Sequence, residues 1–184
     1  MADQLRHDWI GCNGGGHVDT PAIDTLAGRG VRYTQATCTA PICAPSRISL
    51  AAGLLPHRLG ALDNHAWLPL SRPTLYQRMR DHGYRVAGIG KLDLAKPDGF
   101  NGRDGRRPIT YSWGFTDPHE VEGKLHAGRG NPPNGPYTTW LAERGLLESF
   151  VDDYAKRAVL RDPAASARPS VLPPDAFADR YIGH

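Results

Sequence analysis

The stretch CTAPICAPSRISLAAG, residues 38–53, runs an apolar approach (Ala40, Pro41, Ile42) into Cys43 and then into a helix. Pro45 fits the first turn of that helix, because the N–H it lacks would have no partner there. Ser46, Arg47, Ile48, Leu50, Ala51 and Ala52 extend it to a stop at Gly53. Cys43 is thereby set at a helix N-terminus, where unpaired N–H groups and the positive end of the dipole favour a thiolate or a bound oxyanion. On helix logic alone a reactive cysteine, an anion site and a buried structural cysteine all remain open.

Reading outward, DTPAIDTLAGRG predicts a helix with Asp19 or Thr20 as cap, Pro21 in its first turn, Ala22, Ile23 and Leu26 as its apolar residues, and a stop at Gly28 or Gly30. VRYTQATC alternates as a strand does. Downstream, RPTLYQRMRDHGYRVAGIGKLDL predicts a helix ending near Gly83 and an apolar strand from Tyr84 to about Ile89. Helix, short turn and buried strand in that order imply an α/β fold with a parallel sheet flanked by helices. The polar opening MADQLRHDWIGCNGGG stands where such a fold begins with a strand, so a strand is expected upstream. Residues 95–135, rich in Gly, Pro, Asn and Asp, read as a long loop or small excursion. TTWLAERGLLESFVDDYAKRAVL predicts two helices broken near Gly145, DPAASARPSVLPP a linker, and PDAFADRYIGH the first turn of a further helix.

The chain has 184 residues, 40% hydrophobic and 22% charged, which suits one soluble domain. A net charge of +3, spread along the chain, does not favour nucleic acid as a partner. Its basic residues are mostly arginine, whose fork suits small oxyanions. Three cysteines, Cys12, Cys38 and Cys43, with no C-x-x-C pair argue against a disulfide framework or a complete zinc site. No export signal or membrane span is visible, which leaves localisation open with a lean to the cytoplasm.

Cys43-Ala44-Pro45-Ser46-Arg47, followed by Gly53, resembles the C-x-P-x-R signature of sulfatases, in which the cysteine is oxidised to formylglycine. TPAIDTLAGRGVRYTQA ahead of it, GLLPHRLG after it and LPLSRPTLYQRMRDHGYRVAGIGKLDL beyond are similar to the family's blocks in the family's order, from about Ala2 to Leu94. The chain is identified as a member of the formylglycine-dependent sulfatases of the alkaline phosphatase superfamily, which include phosphonate monoester hydrolase relatives. The resemblance implies the N-terminal part of a catalytic domain: a motif-bearing core over 1–94, the excursion over 95–135, and helices and linker over 136–184.

By that resemblance Cys43 becomes the aldehyde nucleophile with the help of a formylglycine-generating enzyme, Arg47 holds its oxygens, and Lys91 bridges the nucleophile and the sulfate. Lys91 directly follows a predicted strand, where open α/β sheets carry ligands. Asp3 stands where the family binds a divalent metal together with residue 43, and oxygen ligands favour calcium, with magnesium or manganese as alternatives. Gln4 takes the place of a second aspartate, and Asp8 is an alternative ligand of poorer spacing. The implied substrate is a small-molecule or glycan sulfate ester. A phosphonate or phosphate monoester, or a truncated non-catalytic protein, is the alternative, and an enzyme using the unmodified thiol is a weaker one. An oligomer is possible, and neither nucleic acid nor membrane is expected.

The pattern departs at Asp93, where the family usually has a histidine two residues beyond the lysine. An aspartate can still accept a proton there, which keeps Asp93 a candidate catalytic residue, but its charge should weaken anion binding unless a metal or an arginine offsets it. His57, His65, His119 and His126 are candidate substitutes, none singled out by spacing. YSWGFTDPHE resembles a segment where the family often has Gly-Phe-Asp, and the remaining metal ligands have no match past Leu94. An incomplete sheet would leave apolar edges exposed, and association is the expected consequence.

Overall fold

Two prolines open the first two helices, α1 (Pro21–Arg29) and α2 (Cys43–Ala52), each in the first turn. The structure, a computed structural model, describes residues 1–98, 100–159 and 168–183, the side chains of 158 and 159 apart. Cys43 is the first helical residue of α2, behind an extended Ile42 whose side chain makes no cap. The Ile42 carbonyl accepts from Ser46 N–H at 3.2 Å, and the Asn64 side chain takes the free Ala44 N–H at 3.0 Å. Gly53, at φ 66°, ends α2 in the left-handed conformation that a glycine adopts without a Cβ clash.

α3 (Leu75–Asp81) starts on a reciprocal capping box: Thr74 accepts from Gln77 N–H at 2.9 Å, and the Gln77 side chain accepts from Thr74 N–H at 3.0 Å. The Thr74 hydroxyl also donates to the Trp113 carbonyl at 2.6 Å, which ties the helix to the chain leading into the second strand. β1 (Ala87–Gly90) pairs in parallel with β2 (Asp117–Glu120), Gly90 lying opposite Glu120. Gly88, Gly90, Pro118 and Glu120 form the buried face of this pair, and Ile89 lies exposed on the other. At Gly88 a Cβ would come within 2.6 Å of the Phe115 ring, so the close approach requires glycine.

Two apolar clusters support these elements. In the first, Ala44, Ile48 and Ala51 of α2 pack with Leu59, Leu68, Leu94, Trp113 and Phe115. Full burial of Ile48 contributes about 2–3 kcal/mol, and it fixes the Cys43 helix against the chain that leaves β1. The second gathers Val121, Tyr137, Leu141 and Leu147 around α6 (Pro136–Glu143) and α7 (Leu147–Val159), with α8 (Ala178–Ile182) against it. α6 and α7 break at Gly145, φ 68°, where the spacing predicts it. No described helix is long and apolar enough to cross a membrane.

The α/β class with a parallel sheet and flanking helices stands, with three corrections of detail. Residues 31–38 form no strand: their alternation meets no neighbouring strand, and Val31 and Tyr33 are exposed. The strand expected from Tyr84 enters the ladder only at Ala87. Residues 95–135 are not a bare excursion, for they hold α4 (Pro108–Ser112), β2 and α5 (Lys124–Ala127). β2 escapes periodicity because its buried face carries Pro118 and Glu120 in place of apolar β-branched residues. Of the predicted linker, residues 162–167 lie outside the described residues.

Candidate active site

β1 ends at Gly90, and the next residue, Lys91, reaches back over the start of α2. Its ammonium donates to Cys43 Sγ at 3.3 Å and to Asp3 Oδ2 at 2.6 Å, and lies 3.5 Å from Asp93 Oδ2. Arg47, one helical turn beyond Cys43, donates to the Lys91 carbonyl and stands 3.7 Å from Asp3 Oδ1. The fork of one guanidinium thus fixes both the backbone of Lys91 and the carboxylate that Lys91 binds. The structure brings together all five candidate residues: Asp3, Cys43, Arg47, Lys91 and Asp93.

The charges tune one another. Burial pushes Asp3 up, but the hydrogen bond and charge of Lys91, with Arg47 and Lys96 behind them, outweigh it and hold the carboxyl below its ordinary range. Burial likewise pushes Lys91 down, and Asp3, Asp93 and Cys43 together raise it above the ordinary lysine range. Lys91 is therefore a firmly charged ammonium at neutral pH.

Asp93 is buried and accepts from the Lys96 ammonium at 3.1 Å. Its charge is offset, as the departure from the family pattern requires, by Lys91 and Lys96 and not by an arginine. Two carboxylates, Asp3 and Asp93, face three cations, Arg47, Lys91 and Lys96, and one positive charge is left over for an anion. Asp3, Arg47 and Lys91 open on a cleft also lined by Gln4, Lys124 and Tyr154; Cys43 is off that lining and joins the group through Lys91.

Asp8 pairs with Arg6 at 2.6 Å on the surface, away from this group. His119 lies against the Tyr181 hydroxyl at 3.3 Å, and His126 offers its carbonyl to Asn134. Neither these nor His57 or His65 makes a hydrogen bond to the site among the described contacts. The described residues hold no cluster of three His, Cys, Asp or Glu fit to ligate a metal. Both oxygens of Asp3 already face cations. Asp3 and position 43 therefore do not by themselves form a metal centre.

Sequence reasoning missed four residues. Asn64 satisfies the Ala44 N–H beside the cysteine, and Lys96 neutralises Asp93. Glu120 accepts from Asp93 N–H at 3.3 Å and from Arg107 at 2.8 Å. Only Lys96 had a visible cue, its spacing of three residues from Asp93.

The family model "Sulfatase" matches residues 1–155. The chain belongs to the sulfatase family. Among its relatives are the choline-sulfatase of Rhizobium meliloti (strain 1021), 32% identical over 61% of this chain and 23% of the relative, and human arylsulfatase H, 36% identical over 51% of this chain and 19% of the relative. This sulfatase-family chain thus spans about a fifth to a quarter of the length of these curated relatives. In fold it is similar to the phosphonate monoester hydrolase of Agrobacterium radiobacter, with a TM-score of 0.64 at 22% identity, covering 98% of this chain and 35% of that one.

Proposed function

We propose that the chain supplies the nucleophile of a sulfate-ester hydrolase, with residue 43 acting as formylglycine after oxidation of the cysteine. The observation that carries this reading is the Lys91 ammonium against Cys43 Sγ, its backbone held by Arg47 from the same helix as the cysteine. The hydrated aldehyde would supply one hydroxyl to attack sulfur and a second to expel sulfate, a step a thiol cannot perform.

The residues present fit that group. Residue 43 starts α2, where the helix dipole favours negative charge on an attacking oxygen. Lys91 holds a fixed positive charge at the same atom position, within reach of both the nucleophile and an oxyanion in the cleft. Arg47 keeps Lys91 and Asp3 in register, and the surplus positive charge draws an anionic ester. The divalent cation that the family resemblance implies, calcium foremost, would find Asp3 and residue 43 here and would need further ligands. A small-molecule or glycan sulfate ester is the substrate class, and a formylglycine-generating enzyme the partner.

A phosphonate or phosphate monoester is the second reading, favoured by the fold likeness to the phosphonate monoester hydrolase. Its tetrahedral anion meets the same cations. Turnover of an aryl sulfate and an aryl phosphonate monoester by protein co-expressed with a formylglycine-generating enzyme separates the readings. The sulfate ester should be preferred, and Cys43→Ala and Lys91→Ala should each lower its turnover by about 100-fold or more. Turnover that survives Cys43→Ala overturns both readings.

A further inference from the structure

We propose that Glu120 is a positioning residue of the site, which fixes the turn carrying Lys91 to Asp93 through its hydrogen bond to the Asp93 backbone. Lys91's part in the chemistry rests on the proposed function, but the experiment below is read on the unmodified thiol and fails separately from that reading.

Glu120 ends β2 opposite Gly90, at the level where β1 gives way to Lys91. Its two oxygens have separate tasks. Oε2 accepts from Arg107 at 2.8 Å, and Oε1 accepts from Asp93 N–H at 3.3 Å. Asp93 stands at φ 55°, in the left-handed region that non-glycine residues enter rarely and aspartate more readily than most. The described structure gives its N–H one partner, Glu120.

The pair itself is buried, Glu120 and Arg107 being 3% and 5% exposed. Arg107 continues to Asp98 at 2.9 Å and Asn101 at 3.4 Å. The loop also closes on Glu120 through its backbone, since Glu120 N–H donates to the Gly105 carbonyl at 3.0 Å and a Cβ at Gly105 would meet that backbone at 2.7 Å. A buried ion pair adds little stability over apolar residues of the same volume. What this one adds is an oriented acceptor directly beneath the turn that aims Lys91 at Cys43.

Two variants separate positioning from mere structure. Glu120→Gln paired with Arg107→Met leaves one acceptor oxygen for Asp93 N–H with no guanidinium competing for it, whereas Glu120→Asp keeps the charge and withdraws by one methylene, too short to serve both Arg107 and Asp93. The reporter is the iodoacetamide alkylation rate of Cys43 in a Cys12→Ser, Cys38→Ser background, with Lys91→Met defining the rate without the ammonium and thermal melting following the fold. Lys91→Met should slow alkylation by about tenfold, because the ammonium that meets the sulfur is gone. Glu120→Asp should fall most of the way to that rate, and the paired variant should stay within about twofold of the parent even if its melting temperature drops. The reverse order, with Glu120→Asp preserving and the paired variant losing the rate, overturns the proposal. So does a Lys91→Met rate equal to the parent's. Should Glu120→Asp not fold, the paired variant decides alone: a parent-like rate upholds the proposal and a Lys91→Met-like rate overturns it.

Discussion

Lys91 and Cys43, 48 residues apart in sequence, meet at 3.3 Å because β1 ends where α2 begins. The meeting is held from two sides. Ile48 and Ala51 bury α2 in the same cluster as Leu94, three residues past Lys91, and Arg47 bonds the Lys91 carbonyl. Packing sets the helix and the strand end, and the guanidinium sets the last contact.

Arg47→Lys tests that contact. A single ammonium cannot reach both the Lys91 carbonyl and the half-exposed Asp3, so one of the two contacts is lost while the charge is kept. Stability should fall by about 1 kcal/mol, read as a lower denaturant midpoint at unchanged slope. A midpoint equal to the parent's would show that Arg47 does not bridge the two.

Gly135→Ala addresses the second cluster. Glu122, buried beneath α6, accepts from Tyr137 N–H at 3.2 Å and Thr138 N–H at 2.6 Å, so a carboxylate caps the helix. A Cβ at Gly135 would stand 2.2 Å from Glu122 Oε2 and must displace it. The expected cost is about 1–3 kcal/mol in chemical denaturation, and an unchanged midpoint would mean that the cap yields freely.

Much of this was legible beforehand, and the reasons differ by residue. α1 and α2 follow from prolines and glycine stops, which act locally, although the cap expected at Asp19 or Thr20 makes no side-chain bond to α1, and α3 ends close to Gly83 as its spacing predicts. Cys43, Arg47 and Lys91 were found by motif, and the geometry unites them. β2 and its Glu120 were hidden because a charged residue on a buried strand face makes sense only with Arg107 in place, thirteen residues away. VRYTQATC shows the opposite failure, since alternation expresses a preference for a pleated surface but cannot provide the neighbouring strand.

Tyr137 gives a pH test. Burial, then the charges of Glu122 and Asp179, raise its hydroxyl from 10.0 to about 12. A folded value above the unfolded one contributes stability that is fully present below pH 10 and is lost as pH rises through about 12. Tyr137→Phe should start lower, because the bond to the Ala176 carbonyl at 2.7 Å is gone, yet lose less over that window. Denaturation midpoints of parent and variant at stepped alkaline pH make the comparison. Parallel curves would contradict the assignment.

The proposed function turns on the fate of the sulfur at position 43, and the tryptic peptide from Tyr33 to Arg47 reports it directly. That peptide carries both Cys38 and Cys43, so one thiol serves as the internal control for the other. After co-expression with a formylglycine-generating enzyme, fragment ions should place at residue 43 the loss of one sulfur and two hydrogens and the gain of one oxygen, with Cys38 unchanged. A peptide that keeps both thiols, from protein shown to be folded and exposed to an active generating enzyme, would contradict it.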